Sequence, residues 1–534
     1  MPFGRLVLPA LLLSTPLLSQ AVDPARTGLP EKSAGVVSYR IAVRLSRGEA
    51  ESPQSLASPA DSDPGVPLRY LNGRARIRYR NITEGSSSEL RFHLYLNAFR
   101  NLRSTHLRES ERLQKSYGSG RDEWGNKDEF GWIRVDELEL VSGAGGPAEK
   151  LRQEFISPDD GNPDDRTVLK AALPGAFEPG SEILLELRFT AKLPKAYRRT
   201  GWGPGNFFMV AQWFPKLGVL EDGEDGRSTW NCHQFHASTE FYADYGSYDV
   251  KIETPAGWPV GATGELRGEV EQLIDGYERR LFYQDDVHDF AWVTDKDYKV
   301  DEWTFEGRDK QEPRIAEILE TKFGYPGEQL RLSDVKVRML LHPEHATEAH
   351  IARHRRAVEV ALSFFGSRYG RYPYKTLTVV DPCRDLEWRN LGGGMEYPTL
   401  ITCGTPPILH SRALRPEGVT IHEFGHQFWY GLSGNNEFEH SWLDEGFNSY
   451  SEGRAQDLAY NKLEGNPPVG DPAHVSTFGI IPFRGRSTGS LDGLGSGAVK
   501  ELTTLRRLDL EPLLELTGAK EIKALLESIN FEGE

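Results

Sequence analysis

In the first half of this chain apolar side chains recur at every second position, and a chain that alternates in this way is committed to strands. Ala75, Ile77 and Tyr79 alternate with Arg74, Arg76, Arg78 and Arg80. Leu90, Phe92, Leu94 and Leu96 share one face of the next stretch. Ile183, Leu185, Leu187 and Phe189 repeat the pattern, as do Tyr248, Val250 and Ile252. Polar residues on the opposite face imply antiparallel sheets that are wet on one side. Pro-, Gly-, Ser- and Asp-rich stretches separate the runs. An N-terminal antiparallel β-sandwich-like domain is therefore expected over residues 36–300.

Beyond residue 301 the spacing becomes helical. Ile351, Val358, Leu362 and Phe365 fall on one helix stripe, and the run TLTVV that follows reads as a short buried strand. A further helix is expected from Glu445 to about Tyr460. Strand, helix, strand and helices in that order imply an α+β domain over residues 301–534. A loop-like stretch follows Asn461, and helical spacing returns at Ile522, Leu525, Leu526 and Ile529. With 534 residues the chain is too long for one core, so a multidomain fold is expected.

The formal charge is −16, from 63 Lys and Arg against 79 Asp and Glu. That balance, without a basic stripe, argues against a nucleic-acid partner. Residues 1–21 read as a secretory signal peptide: Arg5 precedes an apolar run from Leu6 to Leu18, and Ser19-Gln20-Ala21 suits a peptidase. The expected location is periplasmic or extracellular, with no transmembrane segment in the mature chain. Cys232, Cys383 and Cys403 allow at most one disulfide and lack zinc-finger spacing. NIT at Asn81 matches a glycosylation acceptor, a pattern that much sequence of no consequence also matches. His342, His345 and His354 have no ligand partners in sequence and are expected at the surface.

The chemistry lies in HEFGH. Pro416 and Glu417 suit the first turn of a helix and Gly431 suits its end. On that helix His422 and His426 stand one turn apart and face the same way, so both imidazoles can hold one Zn²⁺. Glu423 is rotated off that face, where its carboxylate can reach a metal-bound water without displacing that water. Eighteen residues separate His426 from Glu445, including a Gly- and Asn-rich turn. A second helix can thus fold back and present Glu445 as third ligand. Two His and one Glu leave a position open, which is a catalytic arrangement.

These residues resemble the signature of the aminopeptidase N (M1, gluzincin) family of zinc metallopeptidases. GGGMEYP resembles its Gly-x-Met-Glu-Asn motif, with Tyr397 where Asn is usual. AQWFPKLGV, EFYADYGSYDVKIETPAGWPVGATG and VHDFAW sit in the expected order. The resemblance covers roughly residues 36–460 and implies a thermolysin-like catalytic domain after the β domain. It implies Glu423 as general base and one zinc held by His422, His426 and Glu445. Glu396 would pair with the free α-ammonium of a peptide substrate. Gly392, Gly393, Gly394 and Met395 would line the substrate, the glycines offering close backbone approach. Glu452, two turns beyond Glu445, either accepts a hydrogen bond from the second ring N–H of a zinc-bound His or is a solvated surface residue. His440 and Trp442 either line the pocket or pack.

The chain departs from the family downstream. The family's oxyanion tyrosine lies well past the third ligand, whereas the last tyrosine here is Tyr460. His474 is a candidate substitute. Three readings follow: a zinc aminopeptidase, a zinc endopeptidase on the same scaffold, or a catalytically weak zinc-containing protein that binds peptide termini.

Overall fold

The arginine-rich alternation becomes the strand Tyr70–Arg80, in which Ala75, Ile77 and Tyr79 are buried while Arg76, Arg78 and Arg80 face solvent. The structure is a computed structural model and describes residues 33, 35–116, 126–196, 199–223, 227–328, 330–382, 394–405 and 415–460. The expected signal peptide, Cys383, Gly392, Gly393, His474 and the tail helix lie outside these residues.

Tyr70–Arg80 belongs to an eight-stranded sheet, ordered Glu265–Gln272, Tyr277–Val287, Gly246–Pro255, Val37–Ser46, Tyr70–Arg80, Glu182–Lys192, Trp132–Ser142 and Glu149–Lys150. The sheet is mixed and not purely antiparallel. Val37–Ser46 pairs in parallel with Gly246–Pro255, from Val37 opposite Gly246 to Arg44 opposite Glu253. A long connection between these strands makes the parallel pairing possible. A four-stranded sheet built on Ser87–His93 and Val168–Phe177 faces it, with the Tyr79 ring 5.7 Å from that of Phe177.

Two expectations fail, and one motif match lacks an open acceptor. The strand containing Leu90 and Phe92 ends at His93, and Tyr95–Phe99 is a 3-10 turn, so Leu94 and Leu96 are buried without extending the strand. Asn81 is 1% exposed and its side-chain amide donates to the carbonyls of Gly85 and Phe177, so it is no open glycan acceptor. His342, His345 and His354 are all buried. Each has polar company inside: His342 lies 3.6 Å from Asp295, His345 lies 2.6 Å from Asp381, and His354 sits between Thr420 and Thr405. The arginines beside His354 are engaged as well, Arg353 with Glu417 and Arg355 with Asp301.

Five helices are described: α1 Thr105–Ser116, α2 Pro313–Phe323, α3 Glu348–Tyr369, α4 Arg415–Gly425 and α5 Glu437–Tyr460. α4 lies against a five-stranded sheet, ordered Lys299–Phe305, Val335–Leu341, Thr376–Val380, Leu400–Cys403 and Gly394–Met395, and α3 and α5 pack on α4. The strand Lys299–Phe305 straddles residue 300 and pairs along its whole length with Val335–Leu341. On α3, Val358, Leu362 and Phe365 are buried and Ile351 is half-buried. Arg353 of α3 grips Glu417 of α4 with two hydrogen bonds, at 2.6 and 2.7 Å. That pair ties α4 to its neighbour beside the edge strand Gly394–Met395. Among the described residues no helix is long and apolar enough to cross a membrane. Cys232 and Cys403 are buried free thiols.

Candidate metal centre

The α-helical part of α4 stops at Gly425, earlier than the expected Gly431, and the chain continues in turns, the Gly431 N–H reaching the His426 carbonyl at 2.8 Å. His422 and His426 nevertheless keep their one-turn offset, with Nε2 atoms 3.1 Å apart. Glu445, on α5, brings Oε2 to 3.3 Å from His422 Nε2 and 4.0 Å from His426 Nε2. Ligands about 2.0–2.1 Å from a tetrahedral zinc stand about 3.3 Å from one another. The three donor atoms therefore fit that ion. Both histidines are buried, while Glu445 is half-buried and faces the open side.

The other ring nitrogens are already engaged. His422 Nδ1 lies 3.0 Å from Glu452 Oε2. His426 Nδ1 bonds to Oδ1 of Asp444. Fixing the proton on Nδ1 leaves a lone pair on Nε2, which is the tautomer a metal requires. Asn448 adds a bond from its side-chain amide to the His422 carbonyl at 2.7 Å, which pins α4 to α5. This close approach requires Gly425: a Cβ there would come within 1.9 Å of Asn448 Oδ1 and 2.6 Å of the Phe365 ring.

The charged groups of the centre act strongly on one another. Burial alone would lower the pKa of His426, but Asp444 and Glu396 outweigh it and raise it to about 10. Burial likewise opposes the charge on His422, yet Glu445 and Glu452 hold its pKa well above the usual value. Burial would raise Glu445, and the two histidines bring it down to about 2. A cation among these groups is what the surplus of carboxylates favours.

Glu423 is 5% exposed and stands against the edge strand. A Cβ on Gly394 would fall 2.0 Å from Glu423 Oε1, so the glycine leaves room for the carboxylate. Burial, then Glu396 and Glu445 against the nearby histidines, pushes Glu423 up to about 8. Met395 is buried in the same edge strand, and the next residue, Glu396, is 7% exposed. Glu396, His426 and Asp444 hold side-chain donor atoms within 4.8 Å of one another. Glu396 is thus a neighbour of the metal centre. His440 breaks the helical backbone of α5, at φ −130° and ψ 44°, and Trp442 is 51% exposed.

The sequence reading missed Asp444, Asn448, Glu437, Glu240 and Arg199. Asp444 carried a signal, as an acid beside a ligand on the same helix. Glu240 and Arg199 come from the β-rich half and carried none. Arg199 pairs with Glu240 at 2.5 Å, and both act electrostatically on Glu396.

No family model and no curated protein matches the chain. Among solved structures it is similar to an M1 zinc metallopeptidase from Deinococcus radiodurans, in a mutant form and in a second crystal structure. Both are 15% identical over 81% of this chain and 73% of that one, with TM-scores of 0.44 and 0.43. A likeness of that order says nothing about the reaction.

Proposed function

We propose that this chain is a zinc-dependent aminopeptidase that removes residues from the N-termini of peptides. The observation that carries the reading is the convergence of His422 Nε2, His426 Nε2 and Glu445 Oε2 within 4.0 Å, with Glu396 near His426 and Glu423 buried against Gly394. A zinc ion held there supplies Lewis acidity to water and to the scissile carbonyl. Glu423 accepts the proton of the attacking water on its carboxylate and returns it to the leaving amine. Glu396 pairs with the substrate's α-ammonium, which sets the cut one residue from the terminus. Glu452 and Asp444 hold the two imidazoles in the ligating tautomer.

Removing the metal with a chelator abolishes peptide hydrolysis and added Zn²⁺ restores it. Glu423→Gln lowers kcat by at least roughly a hundredfold while the zinc content stays at one per chain. Hydrolysis that survives both treatments overturns the reading.

A further inference from the structure

The hairpin that carries Glu396 is closed by a strained turn. Gly394–Met395 and Leu400–Cys403 pair antiparallel, with Met395 opposite Thr402. Between them the chain reads Glu396-Tyr397-Pro398-Thr399. The Leu400 N–H donates to the Tyr397 carbonyl at 2.9 Å, which closes a β-turn over Tyr397, Pro398, Thr399 and Leu400. Proline at the second position and a positive φ at the third mark a type II turn, whose third position ordinarily holds Gly or Asn. Here that position holds Thr399, at φ 58°. A β-branched residue in this conformation is strained and stays there only where surrounding structure imposes it.

The neighbour of a metal ligand imposes it. Gln427 follows His426 in the chain and is 2% exposed. Its side-chain Oε1 accepts from the Thr399 N–H at 2.8 Å, and its Nε2 donates to the carbonyls of Glu396 and Tyr397 at 3.3 and 3.2 Å. An N–H donor on one side and two carbonyl acceptors on the other admit one orientation of the amide. Two further bonds hold Thr399 from the sheet side. Its Oγ1 accepts from the Gly264 N–H at 2.6 Å, and its carbonyl accepts from the Thr378 N–H at 2.8 Å. Those bonds fix Thr399, whereas Gln427 also reaches the backbone of Glu396 and Tyr397.

We infer that Gln427 is a positioning residue: its amide holds this turn in its left-handed form and so sets the Glu396 carboxylate relative to the metal. The inference rests on the aminopeptidase reading, in which Glu396 receives the peptide's α-ammonium, and it supplies what keeps that carboxylate in place. Glu396 directly precedes the turn, so the direction of its side chain follows the turn's backbone. His426 and Gln427 are consecutive, so the metal ligand and the clamp share one stretch of chain. Thr399 is fully buried, and without the amide its N–H is left with no acceptor. The turn then relaxes towards negative φ at Thr399 and carries Glu396 away from the metal.

The test is steady-state kinetics of the zinc-loaded protein on the p-nitroanilides of alanine, leucine, arginine and glutamate, continued with the one cleaved fastest. Zinc content and melting temperature are followed in parallel. Gln427→Met keeps most of the side-chain volume and removes the amide. It raises KM roughly ten- to thirtyfold and changes kcat by less than about threefold, because the ammonium is bound alike before and during cleavage. A merely structural role lowers the active fraction, and with it kcat and zinc content, at unchanged KM. Adding Thr399→Gly to Gln427→Met returns KM to within about threefold of the parent, since glycine takes a positive φ without strain. An unchanged KM in Gln427→Met, or a raised KM that Thr399→Gly does not restore, overturns the inference and leaves the aminopeptidase reading intact. The double variant decides alone if Gln427→Met does not fold. A double variant that does not fold overturns the inference as well, because a glycine turn needs no clamp. A parent protein that cleaves none of the substrates above the Glu423→Gln blank overturns the aminopeptidase reading and this inference with it.

Discussion

Glu452 Oε2 stands 3.0 Å from His422 Nδ1, seven residues along α5 from Glu445, which faces the Nε2 atom of the same imidazole. One helix face thus addresses both nitrogens of one ring, because residues seven apart are two turns apart. Glu452 is buried, and its second oxygen is held by Gln456.

Glu452→Ala therefore weakens zinc binding roughly ten- to a hundredfold, and Asp444→Ala does the same through His426. Competition with a chromophoric chelator measures both. Affinities unchanged from the parent would mean that neither carboxylate supports its histidine.

Gly394→Ala puts a methyl group where the Glu423 carboxylate lies, since the Cβ would be 2.0 Å from Oε1. Displacing the base by about 1 Å lowers kcat on the order of a hundredfold. The metal ligands come from other elements, so zinc stoichiometry stays at one. Full kcat in this variant would show that Glu423 does not act from this position.

Gly425→Ala forces Asn448 and Phe365 off α4 and costs about 1–3 kcal/mol of stability. Denaturant unfolding of the metal-free protein reads the loss directly. Because Asn448 also bonds the His422 carbonyl, zinc affinity falls as well.

A pH effect is expected away from the metal. His236 lies 3.1 Å from Asp159 and 3.0 Å from Glu109. The bond to Asp159, opposed by partial burial and reinforced by Glu109, raises its pKa to about 9. A folded-state pKa above the unfolded value of about 6.5 stabilises the fold fully below that lower value. The contribution is lost as pH rises towards 9. Stability of the parent accordingly declines across this window, and His236→Gln flattens the decline. Parallel curves for parent and variant in urea titrations would remove His236 from the account.

The convergence of His422, His426 and Glu445 was legible because one helical turn separates the two histidines, and the eighteen residues after His426, with their Gly- and Asn-rich turn, let a second helix bring Glu445 back. The alternating strands were readable for the same reason, each burying one face. The parallel pair Val37–Ser46 with Gly246–Pro255 was not, since the hydrophobic pattern of a strand does not name its partner. Glu437 and Glu240 look like any surface acids, and only the tertiary fold brings them to Glu396. His354 shows the reverse error: with no ligand partner in sequence it was expected at the surface, yet it is buried between Thr420 and Thr405.

The most direct measurement is a time course of the zinc-loaded protein on one peptide with a free N-terminus and on its N-acetylated twin, with Glu423→Gln as blank. The account predicts stepwise release of single residues from the free peptide and none from the twin. Cleavage of both peptides at equal rates, or of neither above the blank, would contradict it.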